Sequence, residues 1–204
     1  MKSHHHTKRR QFSVLRQTCK LWKDIGETLK GRQAPLTFSV DSLTDWLTYD
    51  DLLFEVQEGK AESLRFLLAR NDPRAHPSAQ DNYAIIWAAR RGHSETVGLL
   101  LSDSRVDPSA RANEAIRYAA KKGHSETVWL LLSDSRVDPS AQANEAIRCS
   151  AIKGRAETVR LLLSDSRVDP SAQANAAIRF AAYKIHSETV RLLLSDPRVV
   201  HSTK

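Results

Sequence analysis

Asn113 to Ala143 read NEAIRYAAKKGHSETVWLLLSDSRVDPSAQA, and at Asn144 the text begins again. Laid over its neighbours, the stretch repeats every 31 residues: GHSETV starts at Gly92 and Gly123, GRAETV at Gly154 and IHSETV at Ile185. The same offset carries EAIR from Glu114 to Glu145 and AAIR to Ala176, and VDPSA from Val106 to Val137 and Val168. A fixed period of this length marks a chain of stacked supersecondary units.

Within one unit the apolar residues fall on two short helical faces. Ile116, Ala119 and Ala120 are spaced i, i+3, i+4, and so are Val128, Leu131 and Leu132. Asn113 is expected to cap the first helix, Gly123 to reverse the chain at positive φ, and Ser125 and Glu126 to open the second helix. Each helix runs about two turns, below the roughly 12 to 15 residues at which an isolated helix becomes marginal in water. A single unit therefore does not fold alone; stacking buries its apolar face.

AAKKGHSETVWLLL (Ala119 to Leu132) resembles the ankyrin repeat, whose pattern is A-A-x-x-G-H-x-E-V-V-x-L-L-L. The resemblance extends over residues 50–204, about three quarters of the chain. It implies an all-α, ankyrin-type helical repeat solenoid with units at about 50–81, 82–112, 113–143, 144–174 and 175–204. Two features depart from the family: Glu114 to Arg117 replace its T-P-L-H opening, and SDSRVDPSAQAN lacks the glycines of its hairpin finger. Asp138-Pro139 is expected to make a tight turn instead. A tetratricopeptide reading fits worse, because its period is 34 and its Trp/Gly/Tyr pattern is absent.

The formal charge of +7 is unevenly placed: residues 1–32 carry nine Lys/Arg against Asp24 and Glu27, and the remainder is balanced at 22 of each sign. The high isoelectric point thus describes the N-terminal segment. No run approaches the ~18 apolar residues of a membrane span, and the basic start lacks the apolar core of a secretory signal. Cys19 and Cys149 have neither disulfide nor zinc spacing. These features point to an intracellular monomer, cytoplasmic or nuclear, in a reducing compartment.

Residues 1–11 read as a disordered basic tail, with His4 to His6 a low-complexity run and Lys8 to Arg10 a solvated terminus. From Phe12 to Leu29 one apolar stripe predicts a helix that caps or pairs with the array. Leu15, Cys19, Trp22 and Ile25 also resemble the last helix of an F-box, L-x-x-V-C-x-x-W-x-x-L, with Thr18 where valine is usual and the front half of the motif missing. That resemblance implies docking to a Skp-type ubiquitin-ligase adaptor, with the repeats selecting the ligase's substrate. Ankyrin arrays behind an F-box are similar to those of large DNA viruses and some protists. Residues 31–49 read as linker and N-terminal cap, with a short helix over Leu43, Trp46 and Leu47.

Ile185 stands where other units have the turn glycine, at a cost on the order of 1 to 2 kcal/mol for a β-branched residue. This predicts a reshaped turn or a frayed last unit, with Val199 and Val200 as a minimal cap.

Catalysis finds little support, because His, Asp and Glu recur at the same place in successive copies, as scaffold residues do. His93, His124 and His186 lie on helices stacked about 8 to 10 Å apart, too far to share a zinc ion, and are assigned to turn stabilisation. No cofactor is expected. Arg117, Arg148 and Arg179 are expected to bond neighbouring loops, and Trp129 to lie on the outer face of its helix.

Information for a partner should lie where the copies differ. Trp87, Tyr118, Cys149 and Phe180 occupy one equivalent position; Arg90, Lys121, Ile152 and Tyr183 the next; Arg91, Lys122, Lys153 and Lys184 a third. The ankyrin resemblance implies that these line a concave protein-binding surface, and aromatic and Arg side chains are the types enriched at binding hot spots. The expected function is a protein-interaction scaffold. Nucleic-acid binding through the basic segment and the groove Lys/Arg is the alternative, disfavoured by the balanced charge of the array.

Overall fold

The computed structural model describes residues 48–200. The basic tail, the F-box-like stretch with Leu15, Cys19, Trp22 and Ile25, and the short cap helix over residues 43–47 lie outside them. Five first helices, α1 (Tyr49–Gln57), α3 (Ala79–Arg91), α5 (Ala110–Lys122), α7 (Ala141–Ile152) and α9 (Ala172–Tyr183), alternate with five second helices. The second helices are α2 (Ala61–Ala69), α4 (Ser94–Ser102), α6 (Ser125–Ser133), α8 (Ala156–Ser164) and α10 (Ser187–Leu194); a short α11 (Pro197–Val200) follows. Among the described residues there is no strand. No helix there is long and apolar enough to cross a membrane.

First helices pack on first helices and second on second, giving two layers joined within each unit. The apolar periodicity fills the space between them: Ile116, Ala119, Ala120, Val128 and Leu131 are fully buried, as are Ile85, Ala88, Ala89, Val97 and Leu100 one period earlier. Each large aliphatic side chain so buried contributes about 1.5 to 3 kcal/mol. This burial sustains second helices of nine residues or fewer.

The link into each first helix has a form that its composition does not announce. Arg111, Ala112 and Asn113 lie at φ of 52°, 54° and 59°, a left-handed turn repeated at residues 80–82, 142–144 and 173–175. Only asparagine among these residues favours that region. Two groups of bonds hold the turn. The Asn113 N–H donates to the Ser109 carbonyl at 2.8 Å, and the Arg117 guanidinium donates to the carbonyls of Arg111 and Ala112 at 3.3 and 3.1 Å. Arg148 does the same for Gln142 and Ala143. Asn113 therefore does not cap its helix as its position suggests; its buried side chain accepts the Asp138 N–H, in the loop entering the next first helix, at 2.7 Å. The expected Asp-Pro turn does form, with Ala141 N–H on the Asp138 carbonyl at 3.4 Å and Ser140 N–H on its carboxylate at 2.9 Å.

Glycine at the turn between helices answers two demands. Gly92 has φ 74°, and a Cβ there would lie 2.5 Å from the His124 ring of the following unit. That ring donates from Nε2 to the Arg90 carbonyl at 3.1 Å; His93 and His186 reach Gln57 and Ile152 in the same way. The histidines thus stabilise turns, and they do so across units. The turn at Ile185 is neither reshaped nor frayed: φ is 61°, His186 N–H meets the Ala181 carbonyl at 3.0 Å, and α10 follows. Among the described residues no later ring lies over Ile185, whose side chain stands exposed, so only the backbone cost remains.

The S-D-S-R loop carries a clamp. Arg136 grips its own Asp134 at 2.6 Å and donates to the carbonyls of Val106 and Leu101 at 2.8 and 2.9 Å, in the preceding unit. Arg167 and Arg198 repeat the arrangement one and two periods on. The arginine's hydrogen bond, aided by its backbone N–H, holds each of Asp103, Asp134, Asp165 and Asp196 below the ordinary carboxylate range.

Asn113→Ala should lower stability by about 1 to 3 kcal/mol, because it leaves a loop N–H without its acceptor. Asn175→Ala should cost far less, since Oδ1 of Asn175 is buried with no partner among the described residues. Urea unfolding of both variants measures the difference. The clamp makes a second prediction. The folded-state pKa of these aspartates lies below the unfolded value, so the unfolded chain binds more protons in acid. Their stabilisation is complete above about pH 4 and is lost as the pH falls through the depressed folded values. Asp134→Asn should cost about 1 kcal/mol at neutral pH, discounted for the partial exposure of Arg136, and flatten the acid limb of the unfolding midpoint against pH.

Candidate functional site

The C-terminal ends of the first helices carry the residues that vary between units. Trp87, Tyr118 and Cys149 are half-buried and Phe180 is exposed, so the row passes from packed to open along the array. The cations beside it, Arg90, Arg91, Lys121, Lys122, Lys153 and Lys184, are all exposed; Ile152 is half-buried and Tyr183 is 78% exposed.

The fold brings four of these residues into one cluster. The Arg90 guanidinium lies 5.7 Å from the Trp87 ring centroid and 5.2 Å from that of Tyr118, one unit on. Arg91 stands 5.3 Å from Trp87. Such contacts are worth about 0.5 to 1 kcal/mol when exposed and more when dry. Tyr83 joins by tilting against Trp87 at 5.7 Å, with Arg111 over its own face at 5.6 Å. Tyr83 does not stand out among the copies, because its counterparts Glu114, Glu145 and Ala176 share no chemistry with it; the signal for it in the sequence is its i, i+4 spacing to Trp87. Farther along, Lys184 covers Tyr183 at 5.4 Å. Cys149, Ile152 and Phe180 make no ring or cation contact with this cluster, although Lys121 lies close enough to draw the Cys149 thiol pKa down slightly. Burial first and Glu145 second push that thiol upward, so it stays protonated at neutral pH.

Charge on this face is unbalanced. Among the described residues none of the six row cations forms an ion pair. The carboxylates on the same helices are taken: Glu145 by Arg117 at 2.6 Å, and Glu114 by Arg111 at 3.9 Å. Arg148 bonds its own left-handed turn and Gln173 of the next loop, whereas Arg179 makes no such bond among the described residues, contrary to the expected ladder. Helix dipoles favour a lysine in the last turn, but they do not account for the aromatic faces between the cations. Trp129 is 57% exposed on the second-helix layer, as its position implies.

Repeated helix pairs, a left-handed glycine between the two helices, and histidines bridging successive turns define the scaffold beneath this surface. Residues 52–143 match the family model for ankyrin repeats, in three copies. No curated protein matches the chain. The period continues through residues 144–200, and with it the arginine clamp of Arg167, the Asn144 bond to the following loop and the His186 bridge. Ankyrin repeats support a protein-interaction scaffold, and proteins built from them are typically not enzymes.

Proposed function

We propose that this chain is a protein-interaction scaffold whose partner lies along the C-terminal ends of the first helices. The observation that carries this reading is the cluster of Trp87, Arg90, Arg91 and Tyr118, where two adjacent units present aromatic faces and guanidinium groups lacking carboxylate partners. Aromatic and arginine side chains concentrate binding energy when a partner excludes water around them. The remaining row residues, Lys121, Lys122, Cys149, Ile152, Lys153, Phe180, Tyr183 and Lys184, extend the same surface.

Nucleic acid is disfavoured, because residues 33–204 are charge-balanced and no base-reading motif is present. Affinity capture by the full chain should return proteins whose recovery falls by about tenfold or more with Trp87→Ala/Tyr118→Ala, a loss of roughly 1 to 3 kcal/mol at a hot spot. The same proteins should remain with Trp129→Ala on the other layer. Equal recovery from both variants would reject the assignment.

The pattern Leu15, Cys19, Trp22, Ile25 supports a second role, docking of a Skp-type adaptor, which would make the chain a substrate receptor of a cullin-RING ubiquitin ligase. Co-purification of the full chain with such an adaptor, abolished by Trp22→Ala, is the expected outcome; unchanged or absent co-purification rejects this role.

A further inference from the structure

The row described above is graded, and the gradient specifies what can lie on it. Helices α3 and α5 each end in two exposed cations, Arg90 with Arg91 and Lys121 with Lys122. On α7 and α9 the first of each pair becomes Ile152 and Tyr183, and Phe180 opens beside Tyr183 at 44% exposure. Cation density thus halves midway, and apolar surface replaces it.

Resting on the protein-binding assignment, we infer that the partner segment is an extended peptide whose acidic half lies across α3 and α5 and whose apolar half lies across α7 and α9. Stacked helices stand about 8 to 10 Å apart, and a chain extended as polyproline II advances about 3.1 Å per residue with three residues per turn, so that every third side chain faces the same way. One peptide side chain in three therefore meets each unit. The recognised pattern is two carboxylates three residues apart, followed at the same spacing by two apolar or aromatic residues. The carboxylates find cations that have no acid of their own, since Glu114 and Glu145 are engaged by Arg111 and Arg117. A uniform polyanion does not fit, because it would lay the same charge on Ile152 and Tyr183 as on Lys121.

Fluorescence polarisation on the full chain tests this with labelled 12-residue peptides carrying Glu at i and i+3 and Leu and Phe at i+6 and i+9, in that order and reversed. One orientation should bind at least about tenfold tighter than a peptide of identical composition with the two Glu adjacent. Arg90→Glu/Lys121→Glu should abolish that preference, and replacing both peptide Glu by Lys should restore binding to the charge-reversed protein. Circular dichroism confirms that the variant remains folded. No register preference in either orientation overturns the inference, and so does tighter binding of a 12-nucleotide oligothymidine lost by the same reversal. Captured proteins that still depend on Trp87 and Tyr118 would then show that only the acidic register had failed. Loss of both results would remove the binding assignment itself.

Discussion

The hydrogen bond that crosses from one unit to the next holds this molecule together. A second helix of nine residues has neither the length nor the internal bonds to persist in water, and its apolar face closes only against its neighbours. Burial between layers supplies the energy, but burial alone is indifferent to register. Register is set at three places: the histidine over the preceding turn, the arginine clamp over the preceding loop, and the asparagine that accepts the following loop's N–H. Each exchanges a buried or half-buried polar group for a partner in the adjacent unit, so sliding one unit against another would orphan several groups together.

Much of this framework is legible in the sequence because it obeys periodic rules. Ile116, Ala119 and Ala120 announce a buried face by spacing, and Gly123 announces a reversal by its lack of a side chain. The left-handed turn is not legible. Arg111, Ala112 and Asn113 contain one residue that favours positive φ and two that do not, and the turn is stabilised by Arg117, whose place in the repeat points to a neighbouring loop rather than to the entry of its own helix. Asn113 misleads in a related way: local chemistry makes it a cap, but a donor 25 residues away in sequence, the Asp138 N–H, claims its oxygen. Ile185 shows the converse. Glycine at the equivalent turns answers mainly to the histidine or arginine side chain of the following unit, and where no described side chain of a later unit lies above, isoleucine is accommodated in the same backbone shape.

For the candidate site, differences between copies pick out rows of residues but say nothing about charge balance. Whether Lys121 is free depends on Glu145 having been claimed by Arg117, a pairing across 28 positions that no local pattern signals. Tyr83 was likewise invisible to comparison between copies, because it is aromatic in one unit only. Variation locates a surface; its unmet charge emerges only from the folded pairing.

The three cross-unit bonds share a direction. The donors His124 Nε2, Arg136 Nη and Asp138 N all lie toward the C-terminal side, and their acceptors, two sets of carbonyls and Asn113 Oδ1, lie toward the N-terminal side. Other bonds across the same interfaces run the opposite way: Ser94 donates to Glu126, Arg117 to Glu145 and Arg148 to Gln173. Each unit therefore carries hooks and eyes on both of its sides, and a shift against either neighbour breaks bonds of both senses at once.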